Sequence, residues 1–288
     1  MTRIALLADL HANQLALNLA LEAVYRESPD RIIVAGDLIG CGPDTEEVIN
    51  TVRKLGLECT LGNHDLVAPE ELEFAVPEDG LAAHRWSISQ LSPESLNYLH
   101  ALPIYARIRA EAAVCHGYVL PELLDYGPEE HDLGSHEAVK HSFGRKGRRS
   151  NLVKSSEYLR EKGVSVSIGG HSHEGYANIF GPEGFRRGKS PRWFLGREKK
   201  ELVIGPDEVA CIVLPPVGLF QAESEASDRA PGFLIYSPEE RLFEFHSVAG
   251  YSPEPVRAAL ARKAALAEIF PEERDFFNKS IELYLARL

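Results

Sequence analysis

Three short apolar runs in the first 65 residues constrain this chain more than any other feature. They are RIALLAD (3–9), RIIVAGD (31–37) and GLECTLGN (56–63). Two stretches of helical character separate them. Between Asn13 and Arg26, Leu15, Leu19 and Ala23 recur near a helical period. Asp44 opens a second stretch, through Leu55, with Glu47 three residues on at the spacing of a capping box. Strand, helix, strand, helix, strand in so few residues implies parallel strands joined by right-handed crossovers. The expectation is an α/β fold.

The remainder continues in the same vocabulary. Residues 81–102 predict two helical pieces, the second capped by Ser92 with Pro93 at its first position. ARIRAEAAVCHG (106–117) reads as a tight strand pair, and 118–150 as a polar loop. Residues 151–162 predict a helix, and VSVSIGG (164–170) a strand. YANIFG, ELVIG, EVACIVL, GFLIYS and RLFEFHSV then give a strand-rich stretch between 176 and 250, with SPEE (237–240) as a hairpin turn. The tail from 253 predicts two helices broken near Pro271. Phe277, Ile281, Tyr284, Leu285 and Leu288 form one apolar stripe, expected to pack on the chain's own sheet or to serve as a dimer face.

The chain has 288 residues, 44% hydrophobic and 26% charged, ample for a buried core. No apolar run of about 18 residues is present, so no membrane span is expected. The N-terminal apolar run is interrupted by Asp9 and His11 and reads as a strand rather than an export signal. Cys41, Cys59, Cys115 and Cys211 lie far apart without CxxC spacing. A cytoplasmic location is expected, with Cys59 and Cys115 as small core residues. A net charge of -12 argues against general binding of long nucleic acid.

The functional signal lies just past each apolar run. RIALLAD ends in Asp9 and, two residues on, His11; RIIVAG ends in Asp37. ECTLG is followed by Asn63, His64 and Asp65, AAVC by His116, and VSIGG by His171 and His173. Ligands bind beyond the carboxyl ends of strands in open α/β sheets, so these side chains can converge. Each fragment alone is an ordinary turn, but five at five strand ends point to a metal site. The set of two Asp, one Asn and four His, without Cys, suits Mn²⁺, Fe, Zn²⁺ or Ni²⁺ better than Ca²⁺ or Mg²⁺. Seven ligands exceed one tetrahedral site, and a shared carboxylate makes two sites of four.

The series D-x-H, GD, GNHD, H, GHSH resembles the calcineurin-like metallophosphoesterase superfamily, from residue 3 to about 250. GDLIGCGPD (36–44) and WSISQLSPESLNYLHALP (86–103) are similar to a prokaryotic single-domain branch of it. The resemblance implies a four-layer fold, two mixed β-sheets packed face to face and flanked by helices. It implies a metallophosphoesterase domain over 1–250 and a helical extension over 251–288 packed on that domain. It places Asp9, His11 and His173 on one ion and Asn63, His116 and His171 on the other, with Asp37 bridging. His64 and Asp65 become the catalytic pair: Asp65 accepts from His64, which strand alternation turns toward the substrate. The implied reaction is hydrolysis of a phosphomonoester, phosphodiester or nucleoside polyphosphate by a hydroxide bridging two divalent ions. A metal-binding scaffold without catalysis and a nuclease are the alternatives. The chain departs from the branch at Cys41, where Tyr is usual, and at LPPVG (214–218), where Asn-Pro-Gly-Ser is usual. A longer basic loop also comes after the GHSH stretch.

KHSFGRKGRR (140–149) carries five Lys or Arg and no acid. It reads either as a solvated loop or as a substrate grip through Arg145, Lys146, Arg148 or Arg149, joined by RRGKSPR (186–192). His131, His136 and His141 read as loop residues. The expected partner is a small phosphorylated substrate, a nucleotide included, bound by a monomer or homodimer.

Overall fold

The structure, a computed structural model, describes residues 1–40, 42–67, 78–117, 119, 156–189, 199–220, 230–269 and 274–288. Cys41, residues 120–155 with the basic run 140–149 and the histidines at 131, 136 and 141, and Pro271 lie outside the described residues.

Two six-stranded sheets organise the chain. The first contains β1 (Ile4–Leu7), β2 (Arg31–Ala35), β3 (Glu58–Thr60), β9 (Lys200–Val203), β11 (Gly232–Ser237) and β12 (Leu242–Ser247), in the order β3-β2-β1-β11-β12-β9. The second contains β4 (Tyr105–Arg109), β5 (Ala112–Cys115), β6 (Val166–Gly169), β7 (Tyr176–Gly181), β8 (Gly184–Lys189) and β10 (Val209–Val213), in the order β4-β5-β6-β10-β7-β8. Both sheets are mixed. β1 runs parallel to β2 and β2 to β3, whereas β1 pairs antiparallel with β11. β6 runs parallel to β5 and β10, and β10 pairs antiparallel with β7.

The two-residue period of a strand sends alternate side chains to opposite faces. On β1, Ile4 and Leu6 enter one core and Ala5 and Leu7 another. The first core lies between the sheets, where Ile4, Leu6, Ile33, Tyr236 and Phe243 meet Val114, Val166, Ile168, Ile179 and Ile212. The second lies under α1 (Gln14–Arg26), α2 (Thr45–Lys54) and α4 (Pro93–His100). Leu159, in the helical segment 156–161, covers the outer face of the second sheet with Cys115 and Cys211. These layers match the expected architecture.

Local chemistry explains the helix starts. Asn13 caps α1 by accepting from the Ala16 N–H at 3.0 Å, and Ser92 caps α4 by accepting from Ser95 N–H at 3.2 Å. Asp44 does not form the expected capping box, since its side chain accepts no cap hydrogen bond. It faces Gln14 N at 3.4 Å and Lys263 Nζ at 3.7 Å instead. Positions 186–189 of RRGKSPR (186–192) lie in β8, the edge of the second sheet. Charges on an edge strand resist pairing with other chains.

The C-terminal stripe also packs differently from expectation. α5 (Glu254–Leu266) and α6 (Arg274–Arg287) meet α3 (Glu78–Ser89), not a sheet. Phe277, Ile281, Tyr284 and Leu288 bury against Ala83, Trp86, Leu219, Val256 and Leu260. The Trp86 and Phe277 rings meet edge-on, 5.6 Å apart. Phe277→Ala should therefore cost about 3–5 kcal/mol in urea unfolding. Phe276→Ala, on the open side of α6 at 63% exposure, should stay within about 0.5 kcal/mol of the parent.

Candidate metal centre

The loops after the parallel strands are tied together by backbone hydrogen bonds. His11 N–H donates to Asp37 O at 2.9 Å, Ala12 N–H to Leu38 O at 2.9 Å and Asp9 N–H to Gly36 O at 3.2 Å. Gly170 N–H donates to His116 O at 2.8 Å in the second sheet. His171 N–H crosses between sheets to Asp9 Oδ1 at 3.0 Å. Backbone bends complete the convergence. Asp9, His11, Asp37, His171 and His173 all have left-handed φ, between 45° and 66°. Asp and His tolerate that region better than most residues, but still at a cost. Gly62 must be glycine, because a Cβ there would lie 2.1 Å from Asp37 N.

Two groups of ligand atoms result, and they share Asp37. Asp9, His11, Asp37 and His173 form one, and Asp37, His116 and His171 the other. In the first, His11 Nε2 lies 3.1 Å from His173 Nε2 and 3.3 Å from Asp37 Oδ2, and His173 Nε2 lies 3.3 Å from Asp9 Oδ1. In the second, His116 Nε2 lies 3.1 Å from Asp37 Oδ2. Asn63 Oδ1 joins it, 3.1 Å from His116 Nε2 and 2.8 Å from His171 Nδ1.

This donor set fits divalent cations. Asp9 Oδ2 and Asp37 Oδ2 are buried and accept no hydrogen bond, although nitrogens stand 3.1–3.3 Å from Asp37 Oδ2. Buried carboxylate oxygens seldom go unpaired. Burial, then His173, holds the His11 pKa well below its ordinary value, leaving a neutral imidazole with a lone pair. Burial would raise the Asp9 carboxyl, but His173, His116 and His171 together outweigh it and hold the pKa below its usual value. Burial likewise opposes the charged form of His116, yet Asp37, Asp9 and the Ala35 carbonyl together outweigh it and the pKa rises to about 9. The His116 Nδ1–H donates to Ala35 O at 2.7 Å, which leaves Nε2 to face the cluster.

Residues Asn63 to Asp65 form a 3₁₀ turn, so strand alternation does not decide where His64 points. The expected hydrogen bond from His64 to Asp65 is absent as well. Asp65 Oδ2 accepts from the N–H groups of Asp37 (2.8 Å) and Gly62 (2.9 Å), and Oδ1 from Leu38 (2.8 Å) and Ile39 (3.2 Å). Four backbone donors fill the carboxylate and leave nothing for His64. Asp65 therefore builds the loop that carries Asp37. Burial and then the Asp37 charge push its pKa up to about 7.

His64 itself is half-buried and meets His11 edge-on at 4.8 Å. Burial, then His11, lowers its pKa well below the ordinary value. His84 of α3, which sequence reasoning missed, stands edge-on to His64 at 5.1 Å. Burial lowers its pKa to about 4. It sits inside a helix, away from any strand end, and no spacing connects it to the strand-end side chains.

The calcineurin-like phosphoesterase family matches residues 2–175, more than half of the chain. The chain belongs to that family. An uncharacterized protein of Methanocaldococcus jannaschii is 30% identical over 103 residues, covering 35% of this chain and 42% of that protein. This phosphoesterase family member thus matches less than half the length of that relative. Two solved structures share the fold across nearly the whole chain. A metallophosphoesterase from Sphaerobacter thermophilus superposes with TM-score 0.61 at 22% identity, over 97% of this chain and 98% of that one. A hypothetical protein from Pyrococcus horikoshii OT3 gives 0.59 at 16% identity, over 96% and 98%.

All seven side chains expected to hold metal lie in this cluster. Arg145, Lys146, Arg148 and Arg149 lie outside the described residues.

The left-handed backbone at His171, φ 66°, gives a clean test. His171→Gly should be more stable than His171→Ala by about 1–2 kcal/mol in urea unfolding, because only glycine occupies that region freely.

Proposed function

We propose that this chain is a phosphoesterase with a dinuclear metal centre. Asp9, His11 and His173 hold one ion, Asn63, His116 and His171 hold the other, and Asp37 serves both. The observation that supports this reading is Asp37 Oδ2, buried without a hydrogen bond and 3.3 and 3.1 Å from nitrogens of the two groups. Two divalent ions of the Mn²⁺, Fe, Zn²⁺ or Ni²⁺ class would supply an activated water and neutralise phosphoryl charge.

The chain's own residues do the rest. His116 is held in one tautomer by Ala35 O. Asp37 Oδ1 accepts from the His64 N–H at 2.8 Å, so the bridging carboxylate also positions the His64 backbone. His64 is the proposed proton donor to the leaving oxygen. Substrate anions near it would offset the lowering by His11 and favour its protonated form. The substrate is a small phosphorylated molecule, a nucleotide included. Arg145, Lys146, Arg148 and Arg149 remain proposed contacts to it. Residues 1–250 are the proposed catalytic domain and 251–288 its helical extension. Cys59 and Cys211, buried and in no disulfide among the described residues, support a cytoplasmic location. Among the described residues, no helix is long and apolar enough to cross a membrane.

Elemental analysis after Mn²⁺ loading tests the bridge: two ions per chain are expected in the parent protein. Asp37→Asn should lower occupancy of both sites, whereas His11→Ala should remove chiefly one ion. Equal single-ion losses in both variants would refute the shared role of Asp37.

The second expectation concerns the proton. His64→Ala should keep both ions and lose roughly 10²–10⁴ in kcat. The loss should be smaller with nitrophenyl phosphate than with an alkyl phosphate, whose leaving group needs the proton more. An unchanged rate on the alkyl ester would assign the proton elsewhere.

A further inference from the structure

Two rings meet His64 edge-on. His11 stands at 4.8 Å with an interplanar angle of 84°, and His84 at 5.1 Å with 85°. A third surface closes one edge of the imidazole. A Cβ at Gly40 would lie 2.8 Å from His64 Nδ1 and 3.1 Å from its Cγ, so the bare backbone of Gly40 is seated against that edge. Nδ1 is buried there and, among the described residues, makes no hydrogen bond. Nε2 is then the nitrogen left to meet a leaving oxygen.

His84 is costly in its place. It is 0% exposed, and among the described residues neither of its ring nitrogens makes a hydrogen bond. A buried polar group left unpaired costs about 1–3 kcal/mol, so fold stability does not account for an imidazole at this position. With a pKa lowered to about 4 by burial, against the Leu66 backbone, the ring is neutral near pH 7. A neutral ring without hydrogen bonds acts on its neighbour through shape and ring polarity, and edge-on aromatic pairs contribute about 0.5–1.5 kcal/mol beyond burial. The helix behind it is anchored on other faces. Ala83 and Trp86 of α3 are buried against α6, and Ser87 Oγ lies 2.9 Å from Thr45 Oγ1 at the start of α2.

We propose that His84 is a positioning residue for His64: its fixed ring, with His11 and Gly40, holds the His64 imidazole so that Nε2 is turned out for proton transfer. This deepens the phosphoesterase reading and rests on it for the part His64 plays. His84 touches no reacting atom and acts through ring contact alone.

The test compares the parent with His84→Ala, His84→Phe and His84→Asn, each loaded with Zn²⁺. Alanine removes the ring, phenylalanine keeps a ring without nitrogens, and asparagine keeps a polar group without a ring. His84→Ala should retain its metal content and KM and lose about tenfold to a hundredfold in kcat on an alkyl phosphate, the scale of a misplaced catalytic group. The loss on nitrophenyl phosphate should be much smaller. Phenylalanine should restore most of the alkyl rate and asparagine little of it. Added to His64→Ala, His84→Ala should bring no further loss on the alkyl ester, because residues that act as a unit are not additive. Ring ¹³C–¹H spectra of the histidine-labelled proteins give a reading independent of activity. His64 should show one sharp set of ring signals in the parent and in His84→Phe, and broadened signals in His84→Ala. Rescue by asparagine but not by phenylalanine, equal losses on both esters, or an additive loss in the double variant would overturn the positioning role. If His64→Ala alone leaves the alkyl rate unchanged, the proton-donor reading of His64 fails, and the spectra still decide: sharp His64 signals in His84→Ala overturn the positioning, and broadened ones sustain it.

Discussion

The Asp65 carboxylate is the interaction on which the candidate centre depends. It accepts from the backbone N–H groups of Asp37, Leu38, Ile39 and Gly62 and so joins the ends of β2 and β3. Four hydrogen bonds converge on one side chain, each with a net contribution of about 0.5–1.5 kcal/mol. Here they hold the Asp37 backbone in a left-handed conformation it would otherwise leave. Asp37 Oδ1 in turn accepts from the His64 N–H at 2.8 Å, while Oδ2 is directed at the imidazoles. One carboxylate arranges the backbone and the next presents its oxygen.

The site carries strain that the sheets resist. Five of its side chains stand on left-handed backbone. Glycines relieve the closest approaches: a Cβ at Gly170 would lie 2.8 Å from Asp9 Oδ2 and 2.6 Å from Ala8 Cβ. The inter-sheet core beneath is apolar and fully buried at Ile4, Leu6, Val114 and Ile168. A rigid base of this kind lets a strained rim persist.

The architecture and the side chains that gather at the candidate centre are legible in the sequence for the same reason. Apolar runs with period two mark strands, and a polar side chain just past such a run must leave the core, so Asp9, Asp37, His116 and His171 announce themselves. The neighbours of those ligands are not legible. The role of Asp65 depends on which backbone N–H groups lie near it, and three of the four belong to residues 26–28 positions away. His84 meets His64, and Arg287 meets His173, from helices, where one His or Arg carries no periodic signal. The stripe on α6 is legible as a buried face but not in its partner, because periodicity shows which face is covered and not by what. Edge strand β8 escapes because Arg186, Arg187 and Lys189 read as loop composition.

The donors divide between the two sheets. Asp9, His11, Asp37 and Asn63 follow strands of the first, and His116, His171 and His173 follow strands of the second. Anything coordinated by both halves is a rivet through the layers, joining residues 162 apart in the chain. Closing so long a loop restricts the unfolded chain, at an entropy that grows only slowly with length. A species that binds only the folded chain also shifts unfolding by mass action. The chemistry and the cohesion of the sandwich would then share one set of side chains, and the free ion concentration would set how firmly the two sheets hold together.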